Sequence, residues 1–236
     1  MRRLLSIVIP VYNEKKNINE LVERIENSLK NNEYEIVFVD DSTDDTTNAI
    51  MDLTKKDNKV KLMHREGKKG LSSAVIEGFR VAKGDVISVM DGDLQHPPEI
   101  LPDMLAEINE GADIVIPSRF IKGGSDGGLN LFRKFVSATA RYMGKTLFKK
   151  LRKVSDPTSG IFMFKKCIIA GKKLRGIGWK ILIEILVMGE YDNLVEIPYE
   201  FNTRNSGESK MNIAVQAQYL KHLYSLFLRT RFKINK

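Results

Sequence analysis

One cysteine, Cys167, is all the thiol this 236-residue chain contains, which excludes an intramolecular disulfide and a cysteine-built structural zinc site. A reducing, cytosolic setting fits, and Cys167 itself reads as a small apolar filler. No apolar run approaches the ~20 residues needed to span a bilayer. The opening MRRLLSIVIPVYNE has two arginines and a short apolar stretch. Pro10 and Glu14 interrupt it and no small-residue cleavage site follows, so it reads as a strand rather than a signal peptide. Acid is in deficit: 30 Asp and Glu against 38 Lys and Arg leave a net charge of +8, which draws the surface to anionic partners. No internal repeat or interdomain linker stands out.

An apolar content of 42% supports one packed catalytic domain. Short β-branched runs (4–10, 35–39, 59–63, 85–90 and 112–116) read as strands, and the longer segments between them (15–30, 45–56, 72–83 and 99–110) as helices. That alternation predicts an α/β fold with a mostly parallel sheet covered on both faces, whose ligands bind beyond the carboxyl ends of the strands. Further on, IKGGSDGGLN (121–130) predicts a mobile glycine-rich loop over the site. A helix from Leu131 to about Leu151, a turn at DPTSG (156–160), a strand near 161–164 and an apolar helix over 179–188 follow.

Polar residues recur where strands end: Tyr12, Asn13 and Glu14 after the first, Asp40 and Asp41 after the second, Asp91 and Asp93 after the fourth. Each alone is compatible with an ordinary turn or helix cap; together they bring acid to one sheet edge. Where the fourth strand turns at Gly92, Asp91 and Asp93 can approach one ion as hard oxygen ligands for Mg²⁺ or Mn²⁺. Gln95 adds an amide for a phosphate or metal-bound water. His96 reads as a hydrogen-bonded loop residue rather than a ligand.

The segments IVIPVYNE, FVDDSTDDT, KKGLSSAVIEGF, MDGDLQHPPE, SRF, DPTSG and GESK, in this order, resemble the dolichol-phosphate mannose synthase branch of the family 2 glycosyltransferases, from about Leu5 to Tyr224. The first two are shared by many family 2 enzymes; DLQHPPE with a late GESK is more specific to transfer onto polyprenyl phosphates. The resemblance implies a GT-A (Rossmann-like) fold, an inverting reaction, a metal at Asp91, Asp93 and Gln95, and a nucleotide-sugar cradle of Pro10, Tyr12, Glu14, Asp41, Asp91, Asp93 and Gln95. It also implies that Arg119, Arg133 and Ser137 serve an acceptor phosphate and that Arg204 and Lys210 serve the donor diphosphate, with Asp91, Asp93, Arg119 and Arg133 at the reaction itself.

A phosphate acceptor makes chemical sense. A sugar hydroxyl needs a general base, whereas a phosphate monoester with a second pKa of about 6 is already an anionic nucleophile. Its difficulty is repulsion from the diphosphate, which arginine and lysine relieve. Asp156, Thr158 and Ser159 read equally well as acceptor-side residues or as a good turn, and Glu184, inside WKILIEILVM, as a structural hydrogen bond or ion pair.

From Ser209 to Lys236 there is no acid but six basic residues: Lys210, Lys221, Arg229, Arg231, Lys233 and Lys236. With Ile213, Ala217, Leu220, Leu223, Tyr224 and Phe227 at helical spacing, residues 209–236 form a basic amphipathic helix after a catalytic domain of 1–208. That helix suits an anionic membrane surface or packing on the domain, by different faces. The expected partners are a nucleotide sugar, GDP-mannose first and a UDP-sugar such as UDP-glucose second, a polyprenyl-phosphate lipid and the membrane surface, not nucleic acid. The expected location is peripheral, on the cytoplasmic face, with room for a membrane-anchoring subunit. No QxxRW motif points to a processive polymerase, no GxGTR-like loop to a pyrophosphorylase, and a phospho-receiver module would leave 119–236 unexplained. A catalytically inactive nucleotide-sugar binder is the remaining rival.

Overall fold

The computed structural model describes residues 3–67, 70–127, 131–202 and 213–232, with only the backbone at 131–137, 140 and 213–216. One seven-stranded sheet carries the fold: β1 (Leu5–Val11), β2 (Tyr34–Asp40), β3 (Val60–His64), β4 (Val86–Val89), β5 (Ile114–Ser118), β6 (Phe162–Lys165) and β7 (Leu194–Pro198). Their spatial order is β3-β2-β1-β4-β6-β5-β7. β1 to β4 run parallel, β6 is antiparallel to both β4 and β5, and β7 is parallel to β5.

The helices are α1 (Lys15–Ser28), α2 (Thr46–Lys56), α3 (Leu71–Val81), α4 (Leu101–Asn109), α5 (Leu131–Leu147), α6 (Ile181–Met188) and α7 (Ile213–Arg231). Alternation along the strands assigns them to layers. Leu5, Ile7, Ile9 and Val11 of β1 pack with Ile18, Leu21 and Ile25 of α1 and Leu101 and Met104 of α4. Val8 faces the opposite layer, with Val75 and Phe79 of α3, Leu182 and Ile185 of α6, and Tyr219, Leu223 and Leu226 of α7. Each fully buried side chain of this kind contributes roughly 1.5–3 kcal/mol. α3 lies tight on the sheet because Gly78 has no side chain: a Cβ there would sit 2.3 Å from Val8 Cγ1.

The predicted parallel α/β core is present, with strand ends displaced by a residue or two. β7 was not anticipated: five residues with Glu196 in the middle give a weak pattern, and its partner β5 lies some 80 residues earlier. The long helix stops at Leu147, followed by a 3₁₀ turn over Lys149–Lys153. Of the glycine-rich segment, 121–127 is tied to the chain beyond β7, Ser125 N donating to Tyr199 O and Phe201 N to Ser125 O, both at 3.0 Å, while 128–130 lie outside the described residues. Cys167 is exposed, so the filler reading fails; it sits in a surface 3₁₀ turn, Lys166–Ile169.

Candidate active site

The carboxyl ends of β2, β1 and β4 lie side by side, as the sheet order requires. After β1 the chain turns through Asn13 with φ of 59°, and beyond β4 it turns through Leu94 with φ of 60°. Among the described residues these are the two non-glycine residues held at positive φ. A leucine there costs on the order of 1–2 kcal/mol, a strain found where surrounding structure fixes a functional loop.

On the β2 side, Asn13 N donates to Ser42 Oγ (2.8 Å) and Thr43 N to Asn13 Oδ1 (2.9 Å), locking the two strand-end loops together. Pro10 is buried within β1, Tyr12 and Glu14 are half-buried, and Glu14 accepts from Asn17 Nδ2 at 2.8 Å. The adjacent aspartates divide their work. Asp40, fully buried, is consumed by Ser42 N (2.9 Å), Thr47 Oγ1 (2.5 Å) and His64 Nδ1 (2.9 Å). Asp41 pairs bidentately with Arg65, at 2.7 and 2.6 Å. Arg65 escaped the sequence reading because its partner lies 24 residues away on a neighbouring strand.

On the β4 side, Asp93 Oδ1 accepts from Gln95 N at 3.1 Å, and Gln95 Nε2 donates to Asn202 O at 3.3 Å. Asp91 is half-buried, its Oδ2 3.6 Å from His96 Nε2. His96 is buried beneath it, Nδ1 3.2 Å from Tyr199 Oη, with the Phe201 ring edge-on at 5.3 Å, a hydrogen-bonded loop residue. Gly160 opens the space in front: a Cβ there would fall 2.7 Å from both Asp91 Oδ2 and His96 Nε2. The donor set suits a hard divalent cation. Among the described residues no group of three or more His, Cys, Asp or Glu side chains is placed to hold an ion.

Beside these acids lies a buried charge cluster. Arg119 pairs bidentately with Asp156, Nε to Oδ2 at 2.8 Å and Nη2 to Oδ1 at 3.1 Å, and Thr158 Oγ1 donates to Asp156 Oδ1 at 3.1 Å. The amides of Ser155 and Asp156 donate in turn to Glu196 of β7. DPTSG is therefore more than a turn: it buries the acid that orients Arg119. Arg119 was read as a phosphate-facing cation; two of its nitrogens are committed to Asp156.

Lys180, which the sequence reading passed over, completes the cluster. It immediately precedes α6, its Nζ donates to Thr158 O and lies 4.0 Å from the centroid of the Trp179 ring. Burial, reinforced by the charge of Arg119, pushes its ammonium pKa down to about 8 against the pull of Asp156 and Asp91. It sits in the same electrostatic neighbourhood as Asp91. A lysine at the start of an apolar helix carries no distinctive sequence signal. The side chains of Arg133 and Ser137, on α5, and the whole of Arg204 and Lys210 lie outside the described residues.

The arrangement puts carboxylates suited to a hard divalent cation near half-buried cations suited to phosphate. Residues 6–170 match the family described as glycosyl transferase family 2. The dolichol-phosphate mannosyltransferase of Pyrococcus furiosus is 45% identical over 223 residues, 94% of this chain and 63% of that protein, so the chain spans less than two thirds of that relative. The Saccharomyces cerevisiae protein of the same name is 34% identical over 236 residues, 94% of this chain and 86% of that one. Among solved structures, glucosyl-3-phosphoglycerate synthase of Mycobacterium tuberculosis, in complex with Mn²⁺, UDP-glucose and phosphoglyceric acid, superposes with a TM-score of 0.74 at 20% identity, covering 95% of this chain and 80% of that one. The last shares the fold, a GT-A-like sheet with its flanking helices. By its family match and by these relatives, the chain belongs to glycosyl transferase family 2.

Proposed function

We propose that this chain transfers one sugar, mannose from GDP-mannose, to the phosphate of a polyprenyl phosphate, with inversion at the anomeric carbon. The observation that carries the reading is the Asp91 carboxylate in the electrostatic neighbourhood of a half-buried cation cluster, Arg119 and Lys180 around the buried Asp156. The names and identities of the Pyrococcus and yeast relatives support the acceptor and the sugar.

An acceptor phosphate oxygen attacks the anomeric carbon, the bond to the donor diphosphate breaks, and the nucleoside diphosphate leaves with the electron pair. No proton has to be removed from the nucleophile. Two unit charges 4 Å apart repel by about 4 kcal/mol at an effective dielectric of 20, so catalysis is largely a matter of holding anions together. Asp41, kept in place by Arg65, orients the nucleoside with Tyr12 and Glu14. Arg119, held by Asp156, faces the acceptor with Arg133 and Ser137; Lys180, with Arg204 and Lys210, faces the diphosphate. A Mg²⁺ or Mn²⁺ ion held by Asp91 and Asp93 beside Gln95 would neutralise charge on the departing diphosphate.

α7 supplies the surface on which this chain meets its lipid. Leu220, Tyr224 and Phe227 recur at helical spacing and are 48%, 65% and 37% exposed, beside the exposed Lys221 and Arg231. Such a face lies in an anionic bilayer interface. Among the described residues no helix is long and apolar enough to cross a membrane. The proposal places the protein peripherally on the cytoplasmic face, where an anchoring subunit would add to this attachment.

The test is a matrix of radiolabelled GDP-mannose, UDP-glucose and UDP-N-acetylglucosamine against polyprenyl phosphates, with and without Mn²⁺, following label into the organic phase. Label from GDP-mannose is expected. Label from a UDP-sugar alone would replace the donor assignment, and none under any pairing would sink the proposal.

A further inference from the structure

The segment leading to Lys180 is held from behind by an ionic joint that the transfer chemistry does not use. Glu184, on α6, is fully buried. Its Oε1 accepts from the backbone N of Arg175 at 2.9 Å and from Arg229 Nη1 at 2.5 Å, and its Oε2 lies 3.4 Å from His222 Nε2. Arg229 and His222 belong to α7 and are themselves 3% and 2% exposed. Arg229 Nη2 also donates to Lys173 O, and Arg175 Nη1 to Ser225 Oγ at 3.2 Å. The first half of the 173–180 segment is thus bonded to α7 or to the acid that α7 clamps. Its far end is bonded to the catalytic core, Gly178 O accepting from Ser72 N at 3.2 Å and Lys180 Nζ reaching Thr158 O.

The joint is an uneconomical way to pack two helices. Arg229 Nε and His222 Nδ1 have no hydrogen-bond partner among the described residues, and His222 Nε2 makes only the long 3.4 Å approach to Glu184; well-packed apolar side chains generally stabilise such a contact as well or better. What the charges add is direction, since they fix loop backbone at Lys173 and Arg175 relative to α7. Burial drives the Glu184 carboxyl toward a higher pKa, and His222, Arg229 and the Arg175 amide outweigh it, holding it below the ordinary range.

We infer that Glu184, clamped by Arg229 and His222 of the C-terminal helix, is a positioning residue that sets the 173–180 segment and, through it, the Lys180 ammonium at the donor site. The inference rests on the reading of Lys180 as a diphosphate-facing group. It makes the helix that carries the exposed apolar face part of the architecture of the donor site.

The segment contains its own reporter, because Trp179 is the sole tryptophan of the chain. The full chain is titrated with GDP and with UDP, each with Mn²⁺, by calorimetry, while Trp179 emission, circular dichroism and thermal midpoint are recorded on the same samples. Arg229→Leu is expected to shift Trp179 emission and weaken GDP binding about tenfold, as displacement of a binding group by a fraction of an ångström does. Arg229→Lys is expected to recover most of both. Glu184→Gln, close in shape, is expected to give the same pair of changes in a smaller amount and serves in place of Arg229→Leu if that variant does not fold. A lowered thermal midpoint with unchanged emission and GDP affinity in the folded variants would leave a joint that is only structural and overturn the inference. Lys180→Met separates the two layers: if it weakens GDP binding while the Arg229 and Glu184 variants do not, positioning alone fails. If it leaves GDP affinity intact, or if the parent protein binds neither nucleotide, the donor-site reading falls and the inference with it.

Discussion

Asp156 and Arg119 meet as a bidentate pair at 2.8 and 3.1 Å, the acid fully buried and the guanidinium side chain 10% exposed. Removing one member strands the other's charge in a low-dielectric site, which costs roughly 3–5 kcal/mol. Asp156→Asn is therefore expected to lower the urea unfolding free energy by about 3 kcal/mol and to depress transfer further than the loss of folded protein explains. Equal stability in the two proteins would show that the pair is not what orients Arg119.

The proposed role of Asp91 and Asp93 as ion ligands predicts metal dependence. Chelation is expected to abolish transfer, with recovery on adding Mn²⁺ or Mg²⁺, and Asp93→Ala is expected to lose about a thousandfold or more in turnover, the scale of several kcal/mol of charge stabilisation. Full activity in a chelator would remove the metal from the proposal.

Gly160→Ala tests the same site sterically. Its Cβ would sit 2.7 Å from Asp91 Oδ2 and His96 Nε2, so the carboxylate must move. Mn²⁺-dependent nucleotide binding is expected to weaken about tenfold or more while the thermal midpoint changes little. Unchanged Mn²⁺ dependence would separate Asp91 from the ion.

Lys180 gives a pH signature. Its pKa is pushed down to about 8, first by burial, so the charge proposed to attract diphosphate is present below that pH and lost above it. Metal-free GDP affinity is expected to fall from pH 7 to pH 9, and Lys180→Met to be weak and flat over the same range. An identical slope in both proteins would assign the titration elsewhere.

The exposed face of α7 predicts binding to anionic vesicles that weakens with added salt, since surface charge attraction is screened within about a Debye length. Tyr224→Ser with Phe227→Ser is expected to reduce partitioning without changing soluble nucleotide binding. Salt-insensitive absence of binding to anionic vesicles would remove α7 from the membrane.

The sheet and most of the acidic edge were legible because they rest on local signals. Strands of β-branched residues alternate with helices of 3.6-residue period, and Asp-Gly-Asp just beyond β4 announces the turn and the carboxylates at that sheet edge together. What was not legible depends on partners far apart in sequence. Asp41 with Arg65, Asp156 with Arg119, and Lys180 with Thr158 are pairings that no spacing rule encodes. α7 shows the difference within one element. Its period predicted a helix, present over Ile213–Arg231, yet the expected apolar stripe is split, Leu223 buried while Leu220, Tyr224 and Phe227 remain outside, and Arg229, counted with the surface cations, turns inward onto Glu184.

By itself the sequence determined the α/β layout, the carboxylates at the strand ends and the family resemblance, because local periodicity and short motifs are properties of neighbouring residues. Only the tertiary structure decided which acids are spent on holding the scaffold, which cations they orient, and which side of the last helix is buried. Those outcomes depend on desolvation and on distances between segments 24 to 56 residues apart, from Asp41 and Arg65 to Lys173 and Arg229, which are set only when the sheet and its helices have packed.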